Sequence, residues 1–96
     1  MFKVRRVKLM GVSGVVHDVE IAEYKGRRYV VVRLTRSLDN PGVELLAKII
    51  VCFDLQLPPL VIAESENMIP DHVKKFISSQ GGLVIELKPL KPPSII

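Results

Sequence analysis

The residues able to do chemistry are few. The chain of 96 residues has two histidines and one cysteine, thin material for a transition-metal site, and a single thiol allows neither an intramolecular disulfide nor a cysteine zinc site within one chain. His17 is followed by Asp18, half of an acid-base device in letters. A histidine among alternating apolar residues is more simply a packed, hydrogen-bonded core residue. Cys52 lies in an apolar run and reads as a small hydrophobe. Glu64, Glu66 and His72 form the best candidate ligand loop. They follow an apolar strand and precede a helix start, where open α/β sheets bind small molecules, and together could hold a hard or borderline cation. The plainer reading is a polar loop with helix-capping groups. Gly11-Val-Ser-Gly14 has the letters of a backbone-clamping glycine loop. Those loops join helices, whereas this one joins two strand-like runs, so it reads as a turn. No phosphate-binding loop, dinucleotide turn, helical pair of histidines or nucleophile-base spacing occurs, so the expectation leans against an enzyme and no cofactor is implied.

The basic residues are the stronger lead. Residues 1–36 hold nine Lys and Arg and three acids, a net of +6, and the remainder of the chain carries −2. Such asymmetry suits nucleic acid, an anionic surface or an acidic protein. Lys3, Arg5, Arg6 and Lys8, with Lys25, Arg27 and Arg28, are the expected nucleic-acid-binding residues, and Tyr24 and Tyr29 could stack on bases beside them. Aromatic residues are only 5% of the chain and Trp is absent. Backbone or shape recognition therefore fits better than base readout.

Length allows one domain, read as 1–88, with a Pro-rich extended tail over 89–96. Hydrophobic residues make up 48%, more aliphatic surface than so thin a core needs, and self-association would use the remainder. The lone cysteine points to a reducing cytoplasm. The start, Met-Phe-Lys-Val-Arg-Arg, lacks the apolar run of a secretory signal. The apolar stretch 43–62 is broken by Glu44, Lys48, Asp54 and Pro58-Pro59, so no bilayer-spanning helix is expected. Few Asn, Gln and Cys among many Val, Ile, Lys, Arg and Glu lean toward a thermophile.

The elements follow from periodicity. Residues 2–10 alternate apolar and basic but change phase at Arg5-Arg6. A β-bulge there would put Lys3, both arginines and Lys8 on one face, opposite Val4, Val7 and Leu9. The runs 15–24 and 27–36 flank Lys25-Gly26 as a two-residue hairpin. Facing positions then sum to 51: Ile21 faces Val30, Val19 faces Val32, His17 faces Leu34, Glu23 faces Arg28 and Asp18 faces Arg33. Asn40-Pro41 starts a helix in which residues 43–53 are apolar nearly all round apart from Glu44 and Lys48, so it must be covered on more than one side. Leu60 to Ala63 reads as a strand buried on both faces. A helix over about 70–79 presents Ile69, Val73, Phe76 and Ile77, ends at Gly81-Gly82, and is followed by a half-exposed strand over 83–88.

The order β-β-β-α-β-α-β implies an α+β two-layer domain: a mixed sheet with an N-terminal antiparallel hairpin, a C-terminal βαβ unit, both helices on one face and exposed basic side chains on the other. The function this supports is a small, basic, non-catalytic nucleic-acid-binding protein. The alternatives are a homodimer through the apolar helix 43–53, as an interaction module or accessory subunit, and third a small-ligand or metal-dependent enzyme using the loop 64–72.

Overall fold

A computed structural model describes residues 3–35, 40–65 and 67–87. The elements run β1 (Lys3–Met10), β2 (Val16–Tyr24), β3 (Arg27–Leu34), α1 (Pro41–Leu55), β4 (Pro59–Ala63), α2 (Asp71–Ser79) and β5 (Leu83–Glu86). The fold is α+β, a five-stranded mixed sheet in the order β1-β2-β3-β4-β5. The first three strands are antiparallel, and β3, β4 and β5 are parallel. The tail 89–96 and the basic residue Arg36 lie outside the described residues.

The β2–β3 turn matches its expectation. Lys25 and Gly26 both take positive φ, 50° and 76°, the left-handed pair of a type I′ turn, whose twist suits the flanking strands. Ile21 faces Val30 and Glu23 faces Arg28. The ladder then stops after four pairs, so Asp18–Arg33, His17–Leu34 and Val19–Val32 do not form as ladder partners. Arg33 instead reaches across to Glu20, with Nε 3.3 Å from Oε1 and Nη2 3.0 Å from Oε2. Beyond Ile21 the β1–β2 ribbon leaves β3 and lies against the C-terminal end of α1.

β1 corrects the expected bulge. Its eight pairs with β2 run without a break from Lys3–Glu23 to Met10–Val16. Strict alternation therefore puts Lys3, Arg5, Val7 and Leu9 on one face, and Val4, Arg6, Lys8 and Met10 on the other. Ladder hydrogen bonding prevailed over the change of phase in the side-chain pattern, because at an edge strand a misplaced Arg or Val stays near solvent: Val4 is 45% exposed.

Both helices pack on the face carrying Val19, Ile21, Val30, Val32, Val61 and Ala63. Leu45 and Ile49 of α1 and Ile77 of α2 meet Val32, Leu34, Val61 and Ala63, while Cys52 meets Val19, Ile21 and Val30. In β4, Leu60, Val61 and Ala63 are fully buried, as expected of a strand between two parallel neighbours. The back face departs from expectation. Its middle is apolar, with buried Ala22, Tyr29, Val31 and Leu60 bordered by Tyr24, Ile62, Leu83 and Ile85, and among the described residues its charge lies on the β1–β2 side and at the two ends of β3, Arg27 and Arg33. The α1 start is as read: the Asn40 side chain accepts from Val43 N at 3.2 Å and Pro41 opens the helix.

Two substitutions probe these joints. Asn40→Ala removes the cap and should cost about 1 kcal/mol. At Gly82 a Cβ would lie 2.7 Å from Pro59 O, which is backbone, and 2.7 Å from Ile77 Cγ2. Gly82→Ala should therefore be worse, by about 1–3 kcal/mol. Urea midpoints of the two variants check the order.

Candidate nucleic-acid interface

The seven basic residues singled out in the sequence do not form one surface. The hairpin geometry gathers five of them at one end of the β1–β2–β3 meander. Glu23 faces Lys3 on one side and Arg28 on the other, Arg5 Nη2 lies 3.8 Å from Glu23 Oε1, and the turn adds Lys25 and Arg27. All six side chains are exposed. Lys25 Nζ sits over the Tyr24 ring, 5.2 Å from its centroid, a cation-π contact that holds the ammonium at the tip. Lys3, Arg5 and Arg28 thus flank one carboxylate on the helix-side face, not on the face opposite the helices as expected, while Lys25 stands in the turn and Arg27, the partner of Tyr24, lies on the back face. At the 62% and 50% exposure of its partners, the Arg5–Glu23 pair is a weak surface contact that leaves the guanidinium able to exchange partners.

Arg6 and Lys8 belong elsewhere. They share the back face with Asp18, and Arg6 Nε lies 3.0 Å from Asp18 Oδ1, while Lys8 is Asp18's partner in the ladder. With Arg33 on Glu20, this part of the sheet is an ion-pair network. The Arg33 hydrogen bond, aided by the nearby charges of Arg33, Arg6 and Lys48, holds the Glu20 carboxyl below its ordinary value against the opposing effect of burial. Tyr29 is also removed from the candidate interface: at 4% exposure its ring is packed in the back-face cluster and offers no stacking surface.

His17 is half-buried and hydrogen-bonded, but not to a neighbour in sequence. Its Nε2 lies 2.6 Å from Asp54 Oδ2. Asp54 also accepts from Ser13 N at 2.9 Å and from Ser13 Oγ at 2.7 Å, and its carbonyl accepts from Val12 N at 2.9 Å. A Cβ on Gly11 would overlap this carboxylate, which is the physical need for glycine at that position. Serine and histidine both donate to the aspartate. The hydroxyl proton therefore points away from the imidazole, and the arrangement is not a nucleophile with its base. It is a clamp that fixes the β1–β2 turn to the end of α1. One signal for it is present in the sequence: an acid in the last helical turn opposes the helix dipole and calls for donors from elsewhere.

The loop 64–72 does not assemble a ligand set among the described residues. Glu66 lies outside them. Glu64 is exposed at the end of β4, its amide donating to Leu34 O, while His72 opens on an apolar groove between the helices. No group of three His, Cys, Asp or Glu side chains able to hold a metal occurs among the described residues. The Cys52 thiol is buried, and desolvation pushes its pKa up to about 11, so it stays a protonated small hydrophobe. No helix of the described residues is long and apolar enough to cross a membrane.

The clamp makes a pH prediction. The His17 hydrogen bond, then those of Ser13, hold the Asp54 carboxyl below its ordinary value. A depressed carboxyl stabilises the fold above the unfolded-state value, and that contribution is lost as pH falls through the folded one. Asp54→Asn should therefore lower the thermal midpoint at neutral pH. Below about pH 4 the wild-type midpoint should fall toward that of the variant, and parallel midpoint-against-pH curves would remove the clamp's role.

No family model and no curated protein matches the chain. Among solved structures it is similar to the crystal structure of a protein of unknown function, AF1548, with a TM-score of 0.62 at 17% identity. The alignment covers 86% of this chain and 48% of that one, so the chain spans about half the length of AF1548. At that identity the likeness establishes the shared α+β fold.

Proposed function

We propose that the protein binds the sugar-phosphate backbone of nucleic acid through the tip of the β2–β3 hairpin and the adjoining start of β1. The observation that carries the reading is the gathering of Lys3, Arg5 and Arg28 beside one acid, Glu23, with Lys25 and Arg27 at the adjoining two-residue turn. Five exposed cations on one end of a sheet are a phosphate-binding footprint, since each neutralised phosphate releases condensed counterions. Tyr24, whose ring lies under Lys25, is the aromatic residue of the tip among the described residues, and aromatic rings beside cations suit nucleic-acid bases. Arg6 and Lys8 contribute less, because they stand beside the two acids Asp18 and Glu20. A phosphate-positioning surface of this kind carries little sequence preference. The interaction-module alternative uses other residues, on α1, and the two activities are compatible.

Affinity for duplex DNA should fall with salt. About four phosphate contacts would give a log-log slope near −3.6, about −0.9 per contact. Arg27→Glu/Arg28→Glu should abolish most of the binding, and Arg5→Glu should weaken it more than Arg6→Glu, although the two arginines are adjacent in sequence. Glu23→Gln should tighten it. Fluorescence anisotropy over a salt series checks all four variants. No binding at about 50 mM salt, where the electrostatic contribution is strong, would overturn the reading.

A further inference from the structure

α1 buries only part of its apolar circumference. Leu45, Ile49 and Cys52 face the sheet, while Val43, Leu46, Ile50 and Phe53 remain 60%, 60%, 59% and 52% exposed. These four stand at i, i+3, i+7 and i+10, the a and d positions of two successive heptads. That spacing is the narrow seam by which one helix packs along another, and is distinct from the broader stripe that packs on a sheet. Beside the seam runs an apolar groove of about 640 Å³ between α1 and α2, bounded across from the seam by Met68, Val73 and Phe76. Phe76 is itself 45% exposed and meets Phe53 edge to face, with centroids 6.4 Å apart.

We propose that this face is the interface with a second copy of the chain, two α1 helices packing about a two-fold axis with each seam set against the groove of its partner. A two-fold interface must be self-complementary. One patch here holds both the projecting rings, Phe53 and Phe76, and the groove beside them. Charge permits the approach of two chains that each carry +4. The positions flanking the seam are Gly42, Ala47, Ile49 and Asp54, the last with its carboxylate already engaged by Ser13 and His17, while Glu44 and Lys48 line the crevice with Arg6, Glu20 and Arg33 on the other side of the helix. Area points to a reversible dimer. The five half-exposed side chains leave roughly 500 Å² of apolar surface per copy, about 1,000 Å² for the pair, which is the lower bound for a specific interface. The proposal is independent of nucleic-acid binding, since no residue of the hairpin tip lies in the seam.

Sedimentation velocity over a concentration series tests it. The wild type should sediment as a dimer at about 100 μM and dissociate on dilution, as an interface near the lower size limit should. Leu46→Glu/Ile50→Glu should be monomeric throughout with an unchanged far-ultraviolet circular dichroism spectrum, because both side chains are exposed. Phe76→Gln, on the other wall of the groove, should weaken the dimer at least tenfold and guards against a misfolded double variant. A wild type that is monomeric at about 100 μM, or a dimer that survives both changes, would overturn the proposal.

Discussion

The two-residue turn at Lys25-Gly26 is the constraint on which the rest of the molecule depends. A strand has a side-chain period of two, so a turn of fixed length decides which residues of β2 and β3 look toward the helices. With positive φ at both turn residues, Ile21 and Val30 come together on the helix side and Ala22 and Tyr29 on the back. A slip of one residue would exchange these sets. It would also pull Glu23 out from between Lys3 and Arg28, so the same turn that orders the core assembles the basic tip.

Two devices join the meander to the parallel half of the sheet. The first is β4, whose Leu60, Val61 and Ala63 are fully buried between β3 and β5, so that a single five-residue strand supports core on both faces. The second is the Asp54 clamp. Where β2 leaves β3, backbone pairing no longer holds the β1–β2 ribbon, and Asp54 takes over with hydrogen bonds to Ser13 and His17. Charge-assisted hydrogen bonds of this kind are about twice as strong as neutral ones, which suits a contact standing in for a lost ladder. The Arg33–Glu20 bridge spans the same gap from the back.

The surface then divides by chemistry. The tip of the hairpin is cationic, the β1–β2 back face is a neutralised network, and the outer side of α1 is aliphatic and aromatic. This division explains why a net charge of +4 does not make the whole protein basic: Asp18, Glu20 and Glu23 are each spent on a particular arginine, and the excess remains at the turn. It also separates the two proposed contacts, so that neither blocks the other.

Sequence alone determined what local rules govern. Lys25-Gly26 specified the hairpin, Asn40-Pro41 the start of α1, the unbroken Leu60 to Ala63 run a doubly buried strand, and Gly81-Gly82 the end of α2, because turns, caps and periodicity act over a few residues. The element order and the α+β class follow from these. Tertiary structure decided whatever joins distant positions. The change of phase at Arg5-Arg6 suggests a bulge, yet the unbroken ladder with β2 separates the arginines onto opposite faces, since eight backbone pairs outweigh side-chain preference at an exposed edge. Tyr29 belongs to a strand pattern that does not say which face another element buries. His17 with Asp54, separated by 37 residues, is invisible to any local reading, because its partner is chosen by where the end of α1 comes to rest against the β1–β2 turn. The apolar circumference of α1 was legible in the sequence. Which part of it the chain covers for itself, and which part it leaves open, was settled only when the helix docked on the sheet.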